Sequence, residues 1–256
     1  MKRRAWNENE IVSAVALYYQ IPFGAIDENN PAVIELASAL DRTPASVALK
    51  LANLASLDPT VLASGRHGMA NASRLDRIVF ESTSGNWLEL ATVLPTTVVD
   101  AIDRNRHQPL GTVFIEAPGS NPTEVPGTVM LRRGQRFFRN STLAAYRERC
   151  CVTTLPVREL LRASHIIPWA VDASLRLDPT NGVCLNALYD AAFDRGLMTI
   201  DDQYRVVFAR GLRDSVTHEI WNVWFAGYEG RRIELPERLV PRPSALLFHR
   251  QNVFNE

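Results

Sequence analysis

The feature that most constrains the fold is the stretch from Ala163 to Gly196, where two short apolar runs precede a helical pattern. The runs 163–169 and 182–185 predict strands because they are brief, apolar and bounded by turn-forming residues. The residues that follow predict a helix. The stretch therefore predicts a strand, a loop, a second strand and a helix, in that order.

Four polar residues stand out within this stretch: His165, Asn181, Asp190 and Asp194. The two aspartates are four positions apart, so they share one face of the predicted helix. A histidine facing two carboxylates offers a base for water and a seat for a hard cation, which is what metal-assisted phosphodiester cleavage needs. This strand–loop–strand–helix order with those residues is the layout of a ββα-metal site.

The individual residues predict distinct roles in such a site. We expect His165 to be the general base, and Asp190 with Asp194 to hold Mg²⁺ or Mn²⁺. The Asn181 amide would bond the backbone of the facing loop and so orient the histidine. Arg195 would meet the scissile phosphate or brace a carboxylate.

Each residue also has an ordinary structural explanation. His165 suits a satisfied core histidine, and the aspartates suit the solvent-facing side of a helix. Asn181 followed by Gly182 is a common turn dipeptide. Only the combination in this order and spacing favours a site.

Three blocks of sequence carry a family resemblance. They are RxGQxFFR at 132–139, CCVTTLPVRELLRASHIIPWA from residue 150 and RLDPTNGVCLNALYDAAFDRGLMTIDD from residue 176. Together they resemble HNH endonucleases of the predicted restriction-endonuclease type, over about residues 131–210. The resemblance implies metal-dependent hydrolysis of DNA phosphodiesters leaving 5′-phosphate ends, in a restriction or phage-defence role. It also implies the base, asparagine and metal-binding roles given above.

Two positions depart from that family pattern. Ser164 precedes the base where many relatives carry an acidic or histidine metal ligand, and Tyr189 stands where closer relatives often have histidine. The metal would then rest on the two aspartates, water and the substrate phosphate. The departures leave room for a non-catalytic DNA-binding regulator on the same scaffold, or for a nuclease that acts on RNA.

The first hundred residues predict helices, with Asn30–Pro31 and Thr43–Pro44 as start signals. Three short helices with a tight turn before the third are typical of a helix-turn-helix, which would place Arg42 and Lys50 for DNA contact. The alternative is a plain three-helix bundle, and an excess of acidic over basic residues in this region favours that alternative. The segment also resembles the domain that accompanies this nuclease in the same group.

The fold class predicted from these patterns is α+β. We expect a helical, helix-turn-helix-like DNA-recognition domain over residues 1–104 and a connector with short strands over 105–130. A ββα-metal HNH nuclease domain with a C-terminal wrap would then occupy 131–256. The connector is predicted from its repeated prolines and glycines, with short strands at 112–115 and 128–131. After it we expect a helix that starts at Asn140, a strand at 150–153 and a hairpin formed by 197–200 and 204–208.

Arginine is concentrated just before the histidine. Residues 131–168 contain eight arginines and two glutamates, although the whole chain has a formal net charge of zero. Arginine suits forked contacts to phosphate, although a GC-rich genome also produces arginine-rich chains. The candidates for contact with the DNA backbone are Arg132, Arg133, Arg136 and Arg139.

Cysteine content and hydropathy indicate whether to expect disulfides, structural zinc or a membrane location. Three cysteines, two of them adjacent, do not predict a disulfide framework. They also lack the paired CxxC spacing of structural Zn²⁺ sites, so we do not expect such a site. With no long apolar run and no signal peptide, we expect a cytoplasmic protein without a membrane partner. DNA is the expected partner, and cleavage of two strands by a single-site nuclease favours a homodimer.

Overall fold

The computed structural model of the chain describes residues 4–63, 69, 71–104 and 126–256, with the backbone alone for 126–129. The chain divides into two compact units, one of residues 1–58 and 67–137 and the other of residues 59–66 and 138–256. Helices precede two small antiparallel sheets, so the predicted α+β class is confirmed. Within the described ranges, the helices are too short or too polar to cross a membrane.

The first unit is built from helices. Their bounds are α1 Glu8–Gln20, α2 Pro31–Ala39, α3 Pro44–Ala55, α5 Arg74–Thr83, α6 Trp87–Val93 and α7 Thr96–Arg104, while α4, Pro59–Ala63, belongs to the second unit. Helix α1 is buried along nearly its whole length and packs against α3, α5 and α6. A helix that is apolar on all sides becomes the centre of a bundle.

Side-chain caps set the starts of these helices. Asn30 and Thr43 accept hydrogen bonds from backbone N–H groups of the first turn, and a proline follows each of them, as predicted. Asn7 and Ser73 form capping boxes with the third residue of their helices. The helix starts that were predicted at Asn30–Pro31 and Thr43–Pro44 are therefore confirmed.

The expected exposure of the basic residues near α3 is wrong. Lys50 is buried, and its ammonium lies 2.6 Å from the Asp76 carboxylate. The Arg42 guanidinium binds the Glu10 carboxylate at 2.8 Å and donates to the Ala5 carbonyl at 2.8 Å. Both cationic side chains are paired with groups of their own unit. This geometry therefore does not support contact of either side chain with a DNA phosphate. The helix-turn-helix itself stays a prediction.

The connector differs from the expectation where the structure describes it. Residues 128–131, predicted as a strand, lie in the helix α8, Pro126–Ala145, which contributes residues to both units. The predicted helix start at Asn140 lies inside this helix as well, and residues 150–153 form turns rather than a strand. Residues with high helix propensity precede and follow Gly134, so the helix continues through that position. The other predicted strand, 112–115, lies outside the described residues.

The second unit contains the predicted ββα arrangement. Strand β1, Leu161–His165, pairs antiparallel with β2, Gly182–Asn186, with His165 opposite Gly182. Helix α9, Ala187–Asp194, follows directly. The predicted hairpin is also present as β3, Met198–Ile200, and β4, Val206–Phe208. Three helices complete the unit: α10 Arg210–Asp214, α11 His218–Trp224 and α12 Pro243–Asn252.

A close approach joins β2 to helix α8. A Cβ added to Gly182 would lie 2.7 Å from the Thr142 hydroxyl oxygen and 2.9 Å from the Phe138 ring. Only glycine fits at this point without moving one of the two elements. The contact fixes Phe138 beside the end of β1.

The C-terminal segment packs onto the body of the second unit, in line with the predicted wrap. Helix α12 packs on β3, and its His249 is 1% exposed. The His249 ring stacks on Phe193, donates from Nε2 to the Phe193 carbonyl and accepts at Nδ1 from the Thr199 hydroxyl. Burial lowers the pKa of His249 from its ordinary 6.5 to about 4.

This histidine is expected to make the protein sensitive to acid. Because the pKa of His249 is lower in the folded chain, the unfolded chain binds more protons between about pH 6.5 and 4, and the free energy of unfolding falls as pH falls through that window. The loss should be on the order of 3 kcal/mol. Urea denaturation of wild type and His249→Gln from pH 7 to 4 measures it, with the exposed His218→Gln as control. Equal slopes in all three proteins would contradict the assignment.

Candidate active site

A cleft of about 350 Å³ in the second unit brings the predicted residues together. Its lining includes His165 from the end of β1 and both Asp190 and Asp194 from α9. Ser164 and His249 line it as well. The histidine and the carboxylate pair therefore share one solvent-filled space, as their order in the sequence predicted.

The His165 imidazole is held on three sides. Its ring stacks on Phe138, with centroids 3.8 Å apart and planes 7° apart, and meets the edge of Trp169 at 5.5 Å. Its Nε2 lies 3.0 Å from the Arg176 carbonyl oxygen. A carbonyl oxygen can only accept, so Nε2 carries the proton and Nδ1 is the acceptor.

This environment favours the neutral imidazole. Burial lowers the pKa of His165 below its ordinary value, and the hydrogen bond to the Arg176 carbonyl opposes that shift only in part. In the described part of the chain, Nδ1 has no hydrogen-bond partner. A neutral histidine with a fixed tautomer and a free acceptor nitrogen is competent to take a proton from water.

Asn181 holds the loop that carries the Arg176 carbonyl. Its buried side chain accepts from the Ile167 N–H at 2.9 Å and donates to the Ile167 carbonyl at 3.1 Å and the Leu175 carbonyl at 3.4 Å. Its own backbone carbonyl accepts from the Ile166 N–H. The Asn181 amide thus takes the place of the backbone hydrogen bonds of the sheet where the chain leaves β1. This is the geometry expected of an asparagine that orients His165.

The two carboxylates project from adjacent turns of α9. Asn186 caps the helix by accepting from the N–H groups of Leu188 and Tyr189. Ser164 donates to one oxygen of Asp190 at 2.5 Å, so its hydroxyl orients that carboxylate. Partial desolvation, together with the charge of Asp190, raises the pKa of Asp194 to about 6 although Asp194 keeps contact with solvent. A nearby cation would relieve that repulsion.

The C-terminal segment holds the other end of α9. The backbone N–H of Asn255 donates to the Gly196 carbonyl at 2.9 Å, and its side chain donates to the Arg195 carbonyl at 3.1 Å. Gly196 has φ +68°, and a Cβ there would lie 2.0 Å from the Val253 carbonyl oxygen. The last residues of the chain thus fix the helix that carries both aspartates. Sequence reasoning missed this clamp, and Gly196 after the helix was its only local signal.

Two residues near the cleft have partners within the protein, and contact of Arg195 with a phosphate stays a prediction. Arg195 is exposed, and its guanidinium donates to the Ala191 carbonyl of its own helix at 3.2 Å rather than to a carboxylate. Tyr189 faces the core, where it packs against Phe208 and its hydroxyl donates to the Trp224 carbonyl. Because Tyr189 lies on another side of α9 from Asp190, it does not occupy a ligand position in the cleft.

The arginines of α8 are also engaged within the protein. Arg136 binds Asp100 at 2.8 Å and Asp103 at 2.6 Å, and Arg133 donates to the Thr92 carbonyl at 3.2 Å. The Arg139 guanidinium donates to the Leu161 carbonyl, and Arg132 is exposed. The pairing of Arg136 with two carboxylates reduces the charge that it offers to a phosphate. Contact of these four arginines with the DNA backbone stays a prediction.

The donors in the cleft fit a hard divalent cation better than a structural metal. The described residues include no group of three or more His, Cys, Asp or Glu side chains arranged to hold a metal ion. What they offer is the carboxylates of Asp190 and Asp194, with solvent access. Two oxygen donors leave the other coordination positions of a cation to water and phosphate. Mg²⁺ keeps such ligands, whereas a structural Zn²⁺ site is closed by protein side chains.

Part of the chain is similar to a known protein family. Residues 150–201 match the family model described as HNH endonuclease. The matched segment holds β1, β2, α9 and β3, so the predicted resemblance is confirmed over that segment, which supplies His165, Asp190 and Asp194 to the cleft. The restriction type stays a prediction. No curated protein matches the chain.

Asn181→Ala is expected to destabilise the second unit. The substitution leaves the N–H and the carbonyl of Ile167 without their partners in a partly buried place, which costs roughly 1–3 kcal/mol. Urea denaturation measures the loss. Asn252→Ala, which removes an exposed side-chain hydrogen bond in α12, is the matched control and should change stability by less than about 0.5 kcal/mol. Equal effects of the two variants would contradict the role given to Asn181.

Proposed function

We propose that this protein is a metal-dependent DNA endonuclease that hydrolyses phosphodiester bonds in a restriction or phage-defence role. The observation that carries the proposal is the cleft in which the free Nδ1 of His165 shares a space with the carboxylates of Asp190 and Asp194. The HNH endonuclease match over residues 150–201 supports nuclease chemistry at this site.

His165 would act on the attacking water. Its Nδ1 takes the proton while the Arg176 carbonyl, through Nε2, stabilises the imidazolium that forms. Stacking on Phe138 prevents the ring from turning away from the cleft. A general base of this kind contributes roughly 100- to 10,000-fold to a rate.

Asp190 and Asp194 would hold Mg²⁺ or Mn²⁺. When bound, such a cation neutralises charge on the scissile phosphate and supports the leaving oxygen. Ser164 keeps one Asp190 oxygen in a fixed direction, and the clamp at Gly196 keeps the end of α9 in place. The site thus presents two preset carboxylates and leaves the remaining positions to water and phosphate.

His165→Ala should reduce cleavage of plasmid DNA at least about 100-fold, because no other group in the cleft carries a free imidazole nitrogen in the right tautomer. Asp190→Asn should cause a similar loss, and EDTA should abolish cleavage by wild type. Gel electrophoresis of plasmid with Mg²⁺ or Mn²⁺ measures each rate. His218→Ala, an exposed histidine on α11, is the control and should cleave like wild type.

The same assay separates the alternatives. Binding of DNA without metal-dependent cleavage by wild type would favour a non-catalytic regulator, and cleavage of RNA alone would favour a ribonuclease. Unmodified and modified phage DNA test the restriction role directly. Full activity of His165→Ala would overturn the assignment of the base.

Metal binding by the free protein is expected to be weaker than micromolar, because only two carboxylates are available before the substrate phosphate completes the site. Calorimetric titration with Mg²⁺ measures this, with and without an uncleavable phosphorothioate DNA, and Asp194→Asn should remove the signal. Sub-micromolar affinity without DNA would show that further ligands exist.

A further inference from the structure

Helix α12 contacts both the base and the carboxylate sides of the site, although it lies outside the segment that matches the HNH family model. Arg242, the residue that precedes the helix, contacts the β1–β2 loop, residues 166–181. Within the helix His249 stacks on Phe193 of α9, and beyond its end Asn255 donates to the C-terminal end of α9. The helix therefore connects the loop beside the candidate base with the helix that carries the two aspartates.

Arg242 holds the β1–β2 loop at two points. Its guanidinium binds the Asp178 carboxylate, with an N–O distance of 2.5 Å, and its backbone N–H donates to the Thr180 carbonyl at 3.1 Å. The Asp178 side chain is 3% exposed, whereas the Arg242 side chain is 51% exposed. A buried carboxylate is costly unless a cation and hydrogen-bond donors pair with it, so the pair with Arg242 keeps Asp178 in its buried position.

Asp178 in turn shapes the part of the loop that leads into β2. One of its carboxylate oxygens accepts from the Thr180 N–H at 2.9 Å and from the Thr180 hydroxyl at 2.7 Å, which caps the short helical turn Pro179–Asn181. The Asp178 backbone N–H donates to the Leu175 carbonyl at 3.2 Å, and the Asn181 side chain donates to the same carbonyl. The Asp178 carboxylate therefore fixes both the turn and the residues just before it.

The Arg176 carbonyl lies between these fixed residues. Leu175 and Asp178 flank it in the chain, and the Arg176 guanidinium donates to the Trp169 carbonyl at 2.9 Å. The Arg176 carbonyl oxygen accepts from Nε2 of His165, with an N–O distance of 3.0 Å. Because hydrogen bonds weaken steeply when they bend, a displaced loop would release Nε2 and let the proton occupy Nδ1 instead. An imidazole with its proton on Nδ1 cannot accept a proton at that nitrogen.

We propose that Arg242 is a positioning residue for the general base, which holds His165 in the Nε2-protonated tautomer through Asp178 and the β1–β2 loop. Arg242 is not among the residues that line the cleft, so it acts on the reaction through His165. That the tautomer matters for hydrolysis rests on the proposed function. Because α12 also contacts α9, the same helix relates the base to the two carboxylates.

Imidazole ¹⁵N chemical shifts of the metal-free protein at about pH 8, where the ring is neutral, test the tautomer without any cleavage. Wild type should show His165 protonated on Nε2 alone, with its signals assigned from their loss in His165→Ala. In Arg242→Gln the two nitrogen shifts should move toward each other, because two tautomers then exchange. Arg242→Lys, which restores a cation beside Asp178, should recover most of the difference. Arg210→Gln, which breaks an exposed pair with Asp214, should leave the shifts unchanged.

Cleavage kinetics show whether the tautomer matters for the reaction. With plasmid DNA and Mg²⁺, kcat of Arg242→Gln should fall roughly 10- to 100-fold while KM is unchanged, because a misplaced base slows the chemical step and not binding. Where Arg242→Gln does not fold, Asp178→Asn carries the same prediction, since it keeps an acceptor for Thr180 and loses the charge that binds Arg242.

A matched variant separates positioning from loss of stability. Phe225→Leu loosens the contacts of that ring with Phe208 and Trp221, away from the β1–β2 loop. It should lower the urea midpoint and keep both the wild-type ¹⁵N shifts and the wild-type kcat. Urea denaturation of each variant shows that it is folded under the assay conditions.

The outcomes distinguish this proposal from the nuclease assignment. Wild-type shifts in Arg242→Gln, or the same altered shifts in Phe225→Leu, would overturn the positioning role even if wild type cleaves plasmid. Altered shifts in Arg242→Gln with an unchanged kcat would overturn the link between Arg242 and the reaction. Failure of wild type to cleave, with shifts that depend on Arg242, would overturn only the proposed catalysis.

Discussion

The cleft depends on one amide side chain that replaces a missing piece of sheet. Strand β1 ends at His165, and the loop that follows would leave partly buried backbone groups unpaired if Asn181 did not bond them. Because the same loop brings the Arg176 carbonyl to His165, the hydrogen bonds of Asn181 indirectly fix the tautomer of the imidazole. The fold and the tautomer of the candidate base are therefore set by the same contacts.

The carboxylate side of the cleft shows a different balance of forces. Partial desolvation raises the pKa of Asp194 to about 6, and repulsion from the charge of Asp190 adds to that shift. The helix nevertheless holds them in place, because Asn186 caps its start and Asn255 bonds the carbonyls beyond its end. Two carboxylates that are held close together despite their repulsion are typical of a site that binds a cation.

Local sequence signals predicted local structure well. Strands β1 and β2, the helix with its aspartates four apart and the starts of α2 and α3 follow from short-range spacing and capping. Local signals failed around α8, where 128–131 was predicted as a strand and Asn140 as a helix start. The other errors concern contacts between distant residues. Lys50 and Asp76 are 26 positions apart, and His165 meets Phe138 across 27, so neither burial of the lysine nor stacking of the ring has a local signature. The same limit explains why His249 and the clamp at Gly196 were missed, since both come from the far end of the chain.

Unpaired buried groups acquire meaning only through their surroundings. Asn140, Ser141 and Thr142 on α8 each have a buried side-chain atom without a partner among the described residues, as Asn53 does. None of the three lines the cleft, so a ligand there would not reach them. Asn53 lines a cavity of the first unit, yet its unpaired oxygen is enclosed, so a ligand in that cavity would not meet it either. Unmet hydrogen bonds of this kind therefore indicate imperfect packing and not a binding site.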